Sequence, residues 1–270
     1  MNDQTNQVCD EKIMVLKSGL KKLETAAVAF SGGVDSAFLL AVAARSGLER
    51  LMAVTVDSVF VTREEVHRAR QTAADLKVVH QVLETDILAH EKVTANSPER
   101  CYHCKNAVFS LIRKAADQAG ICHVLHGVNT DDLTDYRPGL RAAEELGFLA
   151  PLLEAGFSKY QIRSCSRQMG LTTWDLPSQS CLATRIPFFD VITKEALARI
   201  EQAEQFIRSL GFARIRVRCH GKLARIETDA ADIEAMAAQR NRISPALKNF
   251  GFNFVSLDLD GYHTGKMNQM

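Results

Sequence analysis

Cys101 and Cys104 stand two residues apart in "SPERCYHCKNAVF", and this C-x-x-C spacing is not repeated among the other cysteines, Cys9, Cys122, Cys165, Cys181 and Cys219. Thiols so spaced can do three kinds of chemistry. They can form half of a closed four-ligand zinc site, or cycle as a dithiol. With one distant cysteine they can also bind three irons of a 4Fe-4S cluster, leaving the fourth iron open to an exogenous ligand. A zinc site would need ligands from among Cys122, Cys165, Cys181, His103 and His123, because no second C-x-x-C exists. A redox dithiol would open the first helix of its own small fold, whereas this pair lies deep inside a longer pattern. For the cluster, Cys181 is the distant cysteine that suits. It lies in the irregular stretch "PSQSCLATRIP", near Arg185, whose guanidinium would lower a thiolate pKa or hold a phosphate. The remaining four cysteines have no such context and read as buried or incidental thiols, and an odd count in a large chain argues against a disulfide framework.

A second group that could do chemistry is "FSGGVDSAFLL". Gly32 and Gly33 let the backbone turn tightly and expose its N–H groups, while Ser31 and Ser36 add hydroxyls where a helix begins. Anions bind such a place. The stretch has neither the spacing nor the lysine of a Walker A loop, and it lacks the third glycine of a dinucleotide fingerprint. Asp35 would repel bound phosphates unless Mg²⁺ sat between them, or else it caps the helix.

The elements that must position these residues alternate. "AAVAF" reads as a strand feeding the Ser-Gly-Gly turn and a helix over Val34 to Arg45. Strand "RLMAVTV", helix "TREEVHRARQTAADL", strand "KVVHQVLE", helix "NAVFSLIRKAADQAG" and strand "HVLHGVN" follow. Such alternation predicts an α/β fold with a doubly wound parallel sheet that binds ligands beyond the carboxyl ends of its strands. After a helix in "FSKYQIRSCSRQMG", the region from Leu171 to Pro187 has no period and sets the domain boundary, giving domains 1–187 and 188–270. The second, a smaller C-terminal α+β domain, reads as helix (Thr193 to Leu210), strands "ARIRVRC" and "KLARIET", helix (Ala230 to Arg242) and strand "FVSLDL".

The chain's 270 residues, net charge of +1 and 46% hydrophobic content leave room for real cores and give no global nucleic-acid signature. Its longest apolar run, Ala37 to Ala44, is far short of the ~20 residues that span a bilayer, and the polar N-terminus lacks a secretory pattern. These features predict a cytoplasmic protein without a membrane partner.

The Ser-Gly-Gly-Val-Asp-Ser loop after the first strand resembles that of the PP-loop ATP pyrophosphatases (adenine nucleotide alpha hydrolase-like fold), which split ATP into AMP and pyrophosphate. The resemblance implies that Ser31, Gly32, Gly33, Asp35 and Ser36 grip the phosphates. It also implies that Val56, Asp57 and Ser58, at the end of the second strand, meet adenine and ribose, and that Gly127 approaches the nucleotide. Taken in order, "AFSGGVDSAFLL", "ERCYHCK", "GVNTDDLTDYRPGLRAA", "PSQSCLATRIPF", "ITKEALARIEQAEQFIRSLGF", "RVRCHGKLARIE" and "LDLDGYHTGKMN" cover nearly the whole chain and resemble the LarE-type ATP-dependent sulfur transferases.

That family implies a reaction. ATP adenylates a carboxylate of pyridinium-3,5-biscarboxylic acid mononucleotide, sulfur displaces AMP, and two rounds give the bisthiocarboxylic product used in the nickel-pincer nucleotide cofactor of lactate racemase. Some members sacrifice the cysteine matched by Cys181. Others use the three matched by Cys101, Cys104 and Cys181 to hold a 4Fe-4S cluster carrying sulfide, and the presence of all three here favours that form. The resemblance also implies a homo-oligomer that takes its sulfur from sulfide or another donor.

In "ARIRVRC", Arg214, Arg216 and Arg218 share one strand face. They are either a solvated edge or, with Arg185, a clamp for the substrate's phosphate. Glu201 and Glu204 read slightly better as a solvated helix face than as ligands. Cys219 reads as incidental rather than as a sulfur relay. Asp131 and Asp132 either approach Mg²⁺ or cap a turn, and Arg137 touches a phosphate or a carboxylate. A PP-loop tRNA thiolase is the competing enzyme, disfavoured by the near-neutral charge; an ATP- and cluster-binding sensor without turnover is the competing non-enzyme.

Overall fold

The computed structural model describes residues 3–134, 138–177 and 180–263, with every side chain in them except those of 3–8 and Thr134. Arg137 and the tail from Thr264 onward lie outside the described residues. In chain order the elements are α1 (Asp3–Lys21), β1 (Thr25–Ala29), α2 (Val34–Ala43), β2 (Arg50–Asp57), α3 (Arg63–Asp75), β3 (Val79–Glu84), α4 (Glu91–Thr94), α5 (Arg100–Gln118) and β4 (His123–Leu125). Then come α6 (Pro138–Glu145), α7 (Pro151–Glu154), α8 (Lys159–Gln168), α9 (Lys194–Ser209), β5 (Ile215–His220), β6 (Leu223–Thr228), α10 (Ile233–Ala238), α11 (Arg240–Asn249) and β7 (Phe254–Leu257). No helix among the described residues is long and apolar enough to cross a membrane.

The chain forms two units. The first takes Met1–Ile87 and Cys101–Gln179, the second Leu88–Arg100 and Ser180–Met270. The break falls inside the irregular stretch at Gln179, earlier than the expected 187, and residues 88–100 join the second unit. That excursion leaves no compositional trace, because its anchoring partners lie about ninety positions away, at Ile186, Pro187 and Asp190.

In the first unit a parallel sheet has the order β3-β2-β1-β4. Successive residues of β1 face opposite ways: Ala26 and Val28 pack with Phe38, Leu40 and Leu152 on one side, and Ala27 packs with Phe109, Ile112 and Ala142 on the other. Both faces are therefore covered, as a doubly wound sheet requires. α2 is apolar all round and is buried from Ser36 to Ala43, which is why "AFLLAVAA" makes a core helix. α3 opens on a reciprocal capping box between Thr62 and Glu65. The chain winds outward from β1 to β2 and β3, then returns to place β4 on the other side of β1, so the order reverses between β1 and β4. Open α/β sheets bind ligands at such a reversal, beyond the carboxyl ends of the strands.

In the second unit, β5 and β6 form an antiparallel hairpin whose two-residue turn places Gly221 at φ +59°, and β7 adds in parallel beside β6. α9 packs on β5 and buries Ile200, Ala203 and Ile207. The expected helix from Ala230 to Arg242 is instead α10 and α11, broken at Gln239, and α11 runs on through Pro245.

One covalent feature departs from the sequence reading. Cys9 of α1 and Cys165 of α8, expected as thiols, form a disulfide with Cα atoms 5.6 Å apart. The two are buried, as expected of such cysteines, but they are 156 residues apart in sequence, and only the packing of α1 against α8 makes them neighbours.

Candidate functional site

The turn after β1 is built by its own hydroxyls. Ser31 and Ser36 Oγ atoms lie 3.1 Å apart, Gly33 N–H donates to Ser31 Oγ at 3.4 Å, and Ser36 Oγ donates to Gly33 O at 3.2 Å. Gly32 sits at φ +72°, and a Cβ there would lie 3.1 Å from the backbone of Ala69 on α3, so conformation and space both require glycine. Gly127, after β4, is held to glycine by contact: a Cβ would come within 3.0 Å of Ser36 N and 3.1 Å of Asp35 C. The sheet's reversal point thus brings Gly127 against the start of α2, whose N–H groups open toward any bound anion.

Asp35 lies in the first turn of α2. Its Oδ2 accepts from Lys159 Nζ at 3.0 Å, while its Oδ1 is buried with no hydrogen-bond partner. Burial raises its pKa, with Lys159 opposing and nearby Asp132 adding to the rise. Around it, Asp131 Oδ2 accepts from Lys159 N–H at 2.9 Å, Asp132 Oδ2 accepts from Asn129 N–H at 3.1 Å, and Asn129 Oδ1 accepts from Asp131 N–H at 3.0 Å. Both aspartates thereby fasten backbone, the capping alternative of the sequence reading. The reading missed Lys159. Its signal was a lysine at the first position of a helix, where the dipole disfavours a cation unless a carboxylate is near.

Val56 and Ser58 are buried at the carboxyl end of β2, where Ser58 Oγ accepts from Phe60 N–H at 3.3 Å. Asp57, between them, pairs with Arg63. His126, just before Gly127, meets the rings of Phe109 and Phe148 edge-on, and burial, with Lys105 adding, pushes its pKa down to about 4. Cys101 and Cys104, in the first two turns of α5, are half-buried and three positions apart, so they lie on one helix face.

Cys181, half-buried, lies in the second unit at the start of a 3₁₀ turn, Leu182–Arg185. Arg185 was expected to touch a thiolate or a phosphate. Its guanidinium is instead buried and forks onto Glu204, Nε to Oε1 at 2.9 Å and Nη2 to Oε2 at 3.0 Å, while Nη1 donates to the carbonyls of Ser180 (2.6 Å) and Cys181 (3.0 Å). Arg185 thus sets the shape of the loop. Glu204, read slightly better as solvated, is 1% exposed and also accepts from Arg208 and from Val217 N–H. Burial would raise its pKa, but Arg185, Arg216 and Arg208 outweigh this and lower it.

The arginine stripe is likewise not a solvated face. Arg216 and Arg218 are buried, Arg218 in a two-point pair with Glu227 and Arg216 over the ring of Tyr262, whereas Arg214 stands apart with Asp229. Sequence reasoning missed Glu227. Burial raises the Cys219 thiol's pKa, with Arg199 opposing. Among the described residues, no group of three or more His, Cys, Asp or Glu side chains is gathered as metal ligands. Cys101 and Cys104 in the first unit and Cys181 in the second are thiols, the donor type that iron prefers, and the Oδ1 of Asp35 is a buried carboxylate oxygen with no hydrogen-bond partner, the donor type that Mg²⁺ prefers.

Comparison with known proteins covers both units. The family model for the queuosine biosynthesis protein QueC matches residues 25–143. A pyridinium-3,5-bisthiocarboxylic acid mononucleotide synthase from Lactiplantibacillus plantarum is 35% identical over 95% of this chain and 94% of its own. An uncharacterized protein from Synechocystis sp. is 37% identical over 97% of this chain and 98% of its own. A tRNA(Ile)-lysidine synthase from Bradyrhizobium sp. is also 37% identical, but over only 39% of this chain and 30% of its own.

Proposed function

We propose a function from family membership: the chain belongs to the LarE-type ATP-dependent sulfur transferases of the PP-loop superfamily. We infer that it converts pyridinium-3,5-biscarboxylic acid mononucleotide to the bisthiocarboxylic mononucleotide of the nickel-pincer cofactor. The observation that carries this reading is the end-to-end match to the Lactiplantibacillus synthase. A shared ATP loop alone would account only for a partial match, such as that to the tRNA(Ile)-lysidine synthase.

In this reading ATP lies at the sheet's reversal point. Ser31, Gly32, Gly33 and Ser36 receive the phosphates, Val56 and Ser58 border adenine and ribose, and Gly127 leaves room for the nucleotide. The substrate carboxylate attacks the α-phosphorus, the bond to pyrophosphate breaks, and an acyl adenylate forms. Mg²⁺ bound at Asp35 would offset the phosphates' charge. Sulfur then attacks the acyl carbon and AMP leaves with the bonding electrons, giving the thiocarboxylate. A 4Fe-4S cluster on Cys101, Cys104 and Cys181 would supply an open iron for sulfide, sparing Cys181. Arg216 and Arg218 attract the substrate's phosphate. Support for that role comes from charge: Arg185 and Arg218 both lie close enough to act electrostatically on the buried guanidinium of Arg216, so positive charge is gathered at this end of β5. Arg185 acts by holding the Cys181 loop. As parts of the same proposal, sulfide or another donor provides the sulfur, and the protein works as a cytoplasmic homo-oligomer without nucleic acid or membrane.

The test is anaerobic purification with iron and sulfide analysis, then incubation with ATP, Mg²⁺ and the carboxylated pyridinium nucleotide. Pyrophosphate release with thiocarboxylate formation supports the reading, and no pyrophosphate release sinks it. Intact mass separates the two sulfur routes: an unchanged chain with about four irons favours the cluster, and loss of one sulfur at Cys181 favours sacrifice.

A further inference from the structure

The loop that carries Cys181 is held by more than Arg185. Asn96 is fully buried in the second unit, and its side-chain amide donates to the carbonyls of Pro187 (2.6 Å) and Asp190 (3.0 Å), with Ile186 O at 3.4 Å. Its carbonyl Oδ1 accepts from Arg100 Nη1, which also donates to Ala183 O at 3.1 Å. The backbone joins in: Phe189 N–H donates to Asn96 O at 3.0 Å and Ile192 N–H to Thr94 O at 3.1 Å. Arg100 further lies over the ring of Phe188.

Two backbone positions in this strap have positive φ, and at one of them the chain is held against its preference. Asn96 sits at φ +53°, a region asparagine tolerates, and Phe189 at φ +70°, where a bulky residue is rarely found. Phe189 is mostly exposed, so side-chain burial does not hold it there; its hydrogen bond to Asn96 does. Strain of this kind persists only where surrounding contacts over-determine it, and it clusters near sites of function. Counting Arg185 and Arg218, the latter donating to Thr184 O at 3.1 Å, side chains hold the loop's carbonyls at 180, 181, 183, 184, 186, 187 and 190. Arg100 is also bonded in the chain to Cys101.

We propose that Asn96 and Arg100 are positioning residues for sulfur transfer: they fix the loop that presents Cys181, and loosening them uncouples the sulfur step from adenylation. This rests on the function proposed above. Asn96→Asp keeps size and backbone tolerance but turns a donor toward three carbonyls into an acceptor. Arg100→Met removes the second anchor, and Arg100→Lys keeps charge and a donor.

The first measurement needs no activity: the rate of iodoacetamide labelling of Cys181 in the iron-free full-length chain, followed by peptide mass spectrometry with exposed Cys122 as internal reference. The expected result is a rise of at least about fivefold at Cys181 with Cys122 unchanged, partly reversed in Arg100→Lys. The second is thiocarboxylate formed per pyrophosphate released, expected to fall at least about tenfold while pyrophosphate release stays within about twofold. Unchanged labelling in a folded variant, or a rise at Cys122 equal to that at Cys181, overturns the proposal, as does an unchanged product ratio. If Asn96→Asp does not fold, the Arg100 pair decides. If the wild type releases no pyrophosphate, the proposed function fails while the labelling still judges the strap.

Discussion

Lys159 Nζ lies 3.0 Å from Asp35 Oδ2, joining the first turn of α8 to the first turn of α2 across 124 positions of sequence. Both groups are mostly buried, so the pair neutralises a carboxylate that burial otherwise pushes toward its protonated form. Lys159→Met should therefore raise the Asp35 pKa further. Because the ionised carboxylate is the form that would hold Mg²⁺, activity should be lost at a higher pH on acidification than in the wild type. The expected result is a 10- to 100-fold drop, as an order of magnitude, in kcat/KM for pyrophosphate release, with the acid limb displaced upward. An unshifted limb would show that Lys159 does not act on Asp35.

Gly127→Ala should strike the proposed ATP site by contact alone. The added methyl would meet backbone atoms of Asp35 and Ser36, which cannot swing aside as a flexible side chain can. Overpacking at such a point costs roughly 1–3 kcal/mol, and the displaced turn should raise KM for ATP. Urea unfolding and nucleotide titration check this; wild-type values in both would mean the turn yields freely.

Glu204→Gln should destabilise the second unit by about 3–5 kcal/mol, because it leaves the buried guanidinium of Arg185 without its carboxylate. Denaturant unfolding reads the loss. The double change Glu204→Gln with Arg185→Met should recover part of it, since an uncompensated charge costs more than an absent pair. A double variant no better than the single would indicate that the penalty comes from packing.

His126 supplies a stability effect confined to acid. Its folded-state pKa, about 4, lies below the ordinary 6.5, so the unfolded chain binds the extra proton between those values. Stability should be fully present above pH ~6.5 and should fall as pH drops toward ~4, by roughly 3 kcal/mol from this group. Thermal or urea unfolding across that window should show a shallower slope in His126→Phe. An identical slope would place the acid sensitivity elsewhere.

The strands and the phosphate loop were legible because each rests on local signals: short apolar runs, a glycine pair, and a helix apolar on every face. Less visible was α1, whose start is polar and whose buried face becomes coherent only when Cys9, Leu16 and Leu20 are seen packed together. α11 was hidden by Pro245, which lowers helix propensity without preventing a short helix that buries Ile243 and Leu247. At the site, motif residues were readable, but their partners were not. Lys159, Glu204, Glu227, Asn96 and Arg100 matter through contacts fixed by tertiary structure, and a lone charged or amide residue carries no mark of a distant mate. The same holds for the Cys9–Cys165 disulfide.

The excursion of residues 88–100 bears on how this chain is made and recombined. During synthesis Asn96 leaves the ribosome about ninety residues before the carbonyls that will receive its amide. Throughout that interval the segment has no native destination, and closing so long a loop is a late and entropically costly event. The two units are interleaved rather than consecutive, so a single crossover between homologous genes at residue 187 would take residues 88–100 from one parent and most of the second unit they pack in from the other. Exchange of the second unit between relatives therefore requires the short insert and the long C-terminal stretch to travel together.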